Sequence, residues 1–222
     1  MTTPTRIDFV ADISCPFCAI AVTTFSRALA KVGDNAAFEL HFQPYELNPQ
    51  MPGEGQDFFG YLSAKSGATR EQVQQRIAGL SHRAAEAGLT ISIGEDSRIF
   101  NTFDAHRLLH WAGLDGKQHL LEQELYAAYF TDGRDTSSAD ILIETASSVD
   151  FDPEKARHLL TSQMYAEDVR SAEEHWKSRG VTSVPAIFID GELAFSGAQS
   201  EVLFEKELRN IALAKSPFHN SC

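Results

Sequence analysis

Cysteine is scarce in this chain, with three residues in 222: Cys15, Cys18 and Cys222. Three is too few for a disulfide framework, and a chain of this length builds its core without one. Basic residues are the minority, 19 Lys plus Arg against 31 Asp plus Glu, for a formal charge of −12. That balance repels phosphate backbones and anionic lipid, so neither a nucleic acid nor a membrane is an expected partner. No stretch approaches the roughly 18 apolar residues that cross a bilayer. Met1 to Val10 lacks a basic segment followed by an apolar one, so the expectation is a cytoplasmic, reducing setting without a secretory leader. A Gly-rich phosphate loop, a Gly-x-Ser-x-Gly elbow and a dinucleotide fingerprint are all missing, which leaves flavin and nicotinamide chemistry without a carrier.

What is present is enough for a sizeable core: 43% of residues are hydrophobic and 10% aromatic. Arg6–Val10 reads as a short apolar strand. A helix follows from Cys15–Pro16–Phe17–Cys18 to about Val32, with Pro16 suited to a first turn and Gly33 to its end. Phe38–Phe42 alternates like a half-buried strand. Near the other end, Ala186–Ile189 and Leu193–Phe195 flank Asp190–Gly191, a two-residue linker of the I′ hairpin type. A helix over Ser200–Ala214 then lines up Leu203, Phe204, Leu208 and Ile211 on one face. The chain thus opens β-α-β and closes β-β-α, an α/β order that matches a thioredoxin-like fold cut open in the middle.

The interior, about Pro49 to Gly180, reads as almost wholly helical. Thr69–Arg70–Glu71–Gln72 fits a capping box that opens a helix with Val73, Ile77, Leu80 and Ala84 in one stripe. Other helices are expected at 57–66, 104–112, 117–130, 138–149 and 165–179, and Asp152–Pro153 starts a short one. The division expected is residues 1–48 plus 181–222 as the thioredoxin-like domain, with 49–180 as an inserted all-helical domain.

Chemistry concentrates at Cys15 and Cys18. A C-x-x-C at a helix N-terminus sets the first sulfur beside the free N–H groups of the first turn and the positive end of the helix dipole, and both favour thiolate over thiol. Cys18, one turn in, is expected to stay protonated until it resolves a mixed disulfide. Pro16 and Phe17 carry no cation, so a weaker oxidant is expected than from a pair enclosing histidine. Asp12 reads either as a proton relay to Cys18 or as a local loop cap. His106 and His110 fall four apart, a zinc-compatible spacing. The proline-bearing C-x-x-C and the lack of a second cysteine pair argue against it, and no metal is expected.

The segments Asp12–Ile13–Ser14–Cys15–Pro16–Phe17–Cys18, Asn101–Thr102–Phe103–Asp104–Ala105–His106–Arg107–Leu108, Gly180–Val181–Thr182–Ser183–Val184–Pro185 and Ser196–Gly197–Ala198–Gln199 together carry a resemblance. Over essentially its whole length the chain resembles the DsbA-type thioredoxin-like family. Within that family it resembles the FrnE-like branch, which is related to 2-hydroxychromene-2-carboxylate isomerases and kappa-class glutathione transferases. The resemblance implies a thiol–disulfide oxidoreductase in which Cys15 and Cys18 exchange electrons with a disulfide-containing protein or small molecule. It implies a cis proline at Pro185 facing the cysteines, with Val184 offering its backbone to an extended substrate. Pro16, Phe17, Asn101 and His106 complete the implied substrate-binding set. A second reading, a glutathione-dependent isomerase or transferase, makes glutathione a co-substrate; otherwise no cofactor is expected. Two departures stand out: the secreted relatives have His where this chain has Phe17, and the isomerase and kappa relatives generally have Ser at the position of Cys15. For Asn101, His106 and Arg107 the alternative is a cap followed by a solvated histidine and arginine. A monomer or homodimer is expected.

Overall fold

The computed structural model describes residues 4–33 and 37–215. Strand β1 (Thr5–Ala11) is buried at every position but Arg6, as the central strand of a covered sheet must be. It runs parallel to β2 (Phe38–Pro44), with Ile7 beside Leu40 and Phe9 beside Phe42. It runs antiparallel to β5 (Ala186–Ile189), which turns into β6 (Glu192–Ser196), and the sheet order is β2-β1-β5-β6. The hairpin linker has positive φ at both Asp190 (49°) and Gly191 (84°), as a I′ turn requires. The expected α/β thioredoxin-like topology is therefore present.

Alternation along β1 splits its side chains between two faces. Ile7 and Phe9 enter the main core with Phe25 of α1 (Pro16–Val32) and Phe204 of α9 (Glu201–Ala214). The rings meet edge-on, 5.8 Å between Phe9 and Phe25 and 5.0 Å between Phe25 and Phe204. Each such buried ring contributes roughly 1.5–3 kcal/mol relative to exposure. Val10 faces the other way, toward Phe188 and Trp176.

Between β2 and β5 the chain forms α2 (Phe58–Ser66), α3 (Arg70–Glu86), α4 (Phe103–Leu114), α5 (Gln118–Tyr126), α6 (Ala139–Ser148), α7 (Pro153–Thr161) and α8 (Ala166–Ser178). Thr69 and Gln72 form the anticipated capping box, and Asp152 accepts from the N–H groups of Glu154 and Lys155. α5 continues through a π turn at Ala127–Thr131. One expectation needs correcting. The interior is not wholly helical, because β3 (Gln56–Asp57) and β4 (Arg98–Ile99) pair antiparallel. Two residues per strand are too few to show a period of two in sequence. Gly55 enters this ladder at φ 68°, where a Cβ would lie 2.5 Å from the Ile99 carbonyl oxygen, so no larger residue fits. Leu80, Leu108, Leu121, Leu125 and Leu142 of the helices join the same hydrophobic cluster as Ile7 and Phe9.

Candidate active site

Cys15 is the N-cap of α1, in extended conformation (φ −96°, ψ 109°), with Pro16 in the first turn. Its N–H donates to the Asp12 carbonyl (3.1 Å), and its own carbonyl accepts from Cys18 N–H (3.0 Å) and Ala19 N–H (3.2 Å). The turn that begins the helix thus holds both cysteines, which are free thiols. Cys15 is 4% exposed and Cys18 fully buried. Burial, reinforced by the neighbouring Cys15 sulfur, pushes the Cys18 thiol well above its ordinary range.

Across from α1, the Val184–Pro185 peptide is cis. The Cys15 thiol donates to the Val184 carbonyl, Sγ to O 3.7 Å. Pro185 is buried, and its carbonyl accepts from Gly197 N–H at 2.8 Å, which fastens this loop to the segment after β6. Cys15, Pro16, Phe17 and Val184 form one wall of a cavity of about 730 Å³. Phe17 stands 41% exposed at its edge. The opposite wall comes from α2 and α3, through Leu62, Val73, Ile77 and Leu80.

Asp12 ends the run from β1 into this turn and is fully buried. Its carboxylate accepts from Ser14 N–H (3.2 Å), Ser14 hydroxyl (2.9 Å) and Leu47 N–H (2.7 Å), so it shapes the loop that presents Cys15. Burial opposes its ionisation, but His106 together with the Leu47 N–H outweighs burial and holds the carboxyl below its ordinary value. His106 Nε2 lies 3.5 Å from Asp12 Oδ1, an ion-pair separation rather than a formed hydrogen bond, and that nitrogen has no hydrogen-bond partner among the described residues.

Neither Asn101 nor His106 lines the cysteine cavity. The Asn101 carboxamide accepts from Phe103 N–H (2.9 Å) and donates to Glu46 (3.1 Å), a buried carboxylate also held by Arg170. The capping alternative therefore describes Asn101. It does not describe the next two residues: His106 and Arg107 are buried. The Arg107 guanidinium donates to the carbonyls of Met164 (2.9 Å), Leu159 (2.6 Å) and Ser162 (2.7 Å), tying α4 to the end of α7 and the loop beyond. Cys222 lies outside the described residues.

Sequence reasoning missed the helical wall. Its signal was the Val73–Ile77–Leu80 stripe, read only as one face of a helix. Arg76 and Arg83, seven apart on the same helix, flank that stripe and line the cavity, as does Lys65 from α2.

Residues 6–209 match the model of the DSBA-like thioredoxin domain family. The chain belongs to that family. Among solved structures, this DSBA-like chain is similar to a probable DsbA oxidoreductase from Streptomyces coelicolor, with TM-score 0.87 and 31% identity over 96% of this chain and 91% of that one. It is also similar in fold to a 2-hydroxychromene-2-carboxylate isomerase, TM-score 0.69 and 16% identity over 98% of this chain and all of the other. Among curated proteins it is 24% identical to the uncharacterized protein YwbO of Bacillus subtilis, over 91% of this chain and 95% of that one. The DSBA-like family is one of disulfide oxidoreductases and isomerases.

Proposed function

We propose that this chain is a thiol–disulfide oxidoreductase of the FrnE-like branch, exchanging dithiol and disulfide through Cys15 and Cys18. The observation that carries the reading is the pairing of an N-cap Cys15 that reaches the cavity with a Cys18 buried one turn behind it. The Cys15 thiolate attacks one sulfur of a substrate disulfide, forming a mixed disulfide and expelling the other half as a thiolate. Cys18 then loses its proton and attacks the Cys15 sulfur. The Cys15–Cys18 disulfide forms, the second substrate half leaves as thiolate, and both leaving groups take up protons.

Several features support this order of roles. Burial raises the Cys18 thiol and keeps it off the cavity wall, whereas Cys15 lines the cavity and is the group placed to attack. The Val184 carbonyl holds Cys15 while it is a thiol, a bond given up when the thiolate forms, and Pro16 and Phe17 shape the entrance. Pro185 acts from behind, by fixing the Val184 loop. Asn101 and His106 are positioning groups in this reading, acting through Glu46 and Asp12 rather than on substrate. A cytoplasmic location, where the pair rests as a dithiol, belongs to the same proposal and is tested by fractionation.

The deciding assay is insulin reduction with dithiothreitol. Turnover should vanish in Cys15→Ser, and parental turnover in that variant would end the reading. Under the glutathione-dependent alternative, Cys18→Ala instead retains glutathione-dependent turnover.

A further inference from the structure

The chain carries a formal charge of −12, yet the cavity at Cys15 is lined by Lys65, Arg76 and Arg83 and by no carboxylate. Among the described residues, none of the three forms an ion pair with Asp or Glu. Lys65 is held by the Leu47 carbonyl (3.2 Å) and Asn48 (2.8 Å), and the Arg83 guanidinium lies 5.7 Å from the Phe17 ring. Most other surface cations are neutralised: Arg70, Arg134, Arg157, Arg170, Arg209 and Lys215 each sit against a carboxylate. In so acidic a chain, three cations without a carboxylate around one cavity are free to meet an incoming anion.

Two further observations fix the rest of the ligand. The wall between the cations is apolar, formed by Leu62, Val73, Ile77 and Leu80. Only a ligand with an apolar body gains from covering it. Cys15 is also only 4% exposed and meets solvent through this cavity, so a disulfide must enter about 730 Å³ to be attacked. That volume suits one small molecule.

We infer that the preferred substrate of this site is a small amphipathic anion, a disulfide with an aromatic or aliphatic body and a carboxylate. This rests on the exchange reading above and narrows it. The chemistry is balanced within the pair: the enzyme dithiol becomes a disulfide and the substrate disulfide becomes two thiols. Two equivalents of a low-molecular-weight thiol then return the pair to the dithiol and leave as their own disulfide.

The test measures how well sulfur-free ligands protect Cys15 from iodoacetamide, in a Cys222→Ser background so that the active-site pair alone reports. The ligands are 4-biphenylcarboxylate, its neutral alcohol 4-biphenylmethanol, and S-methylglutathione, which is anionic but polar. The carboxylate should protect at about tenfold lower concentration than either other ligand at low salt. Arg76→Glu/Arg83→Glu should abolish that preference. Lys155→Glu/Lys206→Glu, with the same change of net charge elsewhere on the surface, should retain it. Equal protection by acid and alcohol, best protection by S-methylglutathione, or a preference that survives Arg76→Glu/Arg83→Glu would overturn the inference. Any of those results alongside insulin turnover that needs Cys15 strikes the specificity alone; turnover that persists in Cys15→Ser strikes the exchange reading beneath it.

Discussion

The two walls of the cysteine cavity differ in kind. One is a turn and a loop, Ser14 to Phe17 and Val184, whose positions are set by backbone hydrogen bonds and the start of α1. The other is two helices presenting an apolar stripe between cations. The first wall determines what reaction is possible, because only it holds sulfur. The second determines which molecule comes close enough to react. A scaffold can therefore keep its chemistry while the inserted helices retune its substrate.

Substitutions can break that comparison wall by wall. Cys15→Ser removes the nucleophile and should eliminate insulin reduction while the melting temperature stays close to the parent's. Arg107 belongs to neither wall, and Arg107→Ala strands three carbonyls it now satisfies. A loss of about 3 kcal/mol in urea unfolding is expected, from buried acceptors at roughly 1–3 kcal/mol each partly rescued by water. Leu80→Ala thins the helical wall and should cost about 2 kcal/mol, the low end for a buried leucine, because one side already faces a cavity. It should weaken protection by 4-biphenylcarboxylate without shifting the redox potential of the pair. Phe17→His alters the first wall only and should raise that potential by about 30 mV or more, equivalent to ~1.4 kcal/mol, in a glutathione redox buffer.

The effect with the smallest starting value lies behind both walls. Glu122 of α5 is buried with one carboxylate oxygen unpartnered, and burial pushes its carboxyl well above the ordinary range. A carboxyl with a raised folded-state pKa supports the fold fully below its unfolded value, near 4.5, and that support is lost as pH climbs toward the folded value. Glu122→Gln should thus match the parent near pH 4 and become progressively the more stable of the two as pH rises, read from urea midpoints. Asp12 has the opposite sign: its lowered carboxyl stabilises above its unfolded value and loses that contribution in acid.

The first wall was legible in sequence because its determinants are local. A C-x-x-C with Pro16 marks a helix start, and Asp190–Gly191 marks the hairpin of the strand that follows Pro185. The second wall was not, since the Val73–Ile77–Leu80 periodicity says that a face is covered without saying by what, and here part of the cover is an open cavity. His106 and Arg107 show the same limit. Charged groups on a helix read as solvated until tertiary partners appear, and theirs are Asp12, far earlier in the chain, and the carbonyls of Leu159 and Ser162 around the end of α7. Asn101, accepting from the first N–H of α4, needed only its neighbours, and that part of the reading was available.

The hydrophobic cluster that holds Phe9 and Phe25 also holds Leu80 and Ala84 of α3 and Leu108, Leu121 and Leu142 of α4 to α6. Mechanically, the helices are a roof bolted to the foundation rather than a hinged door. Swinging them aside would expose the interior of the whole molecule to water. With α3 anchored in that core by Leu80 and Ala84, admission to the sulfur is expected to turn on the visitor's shape rather than on a gate.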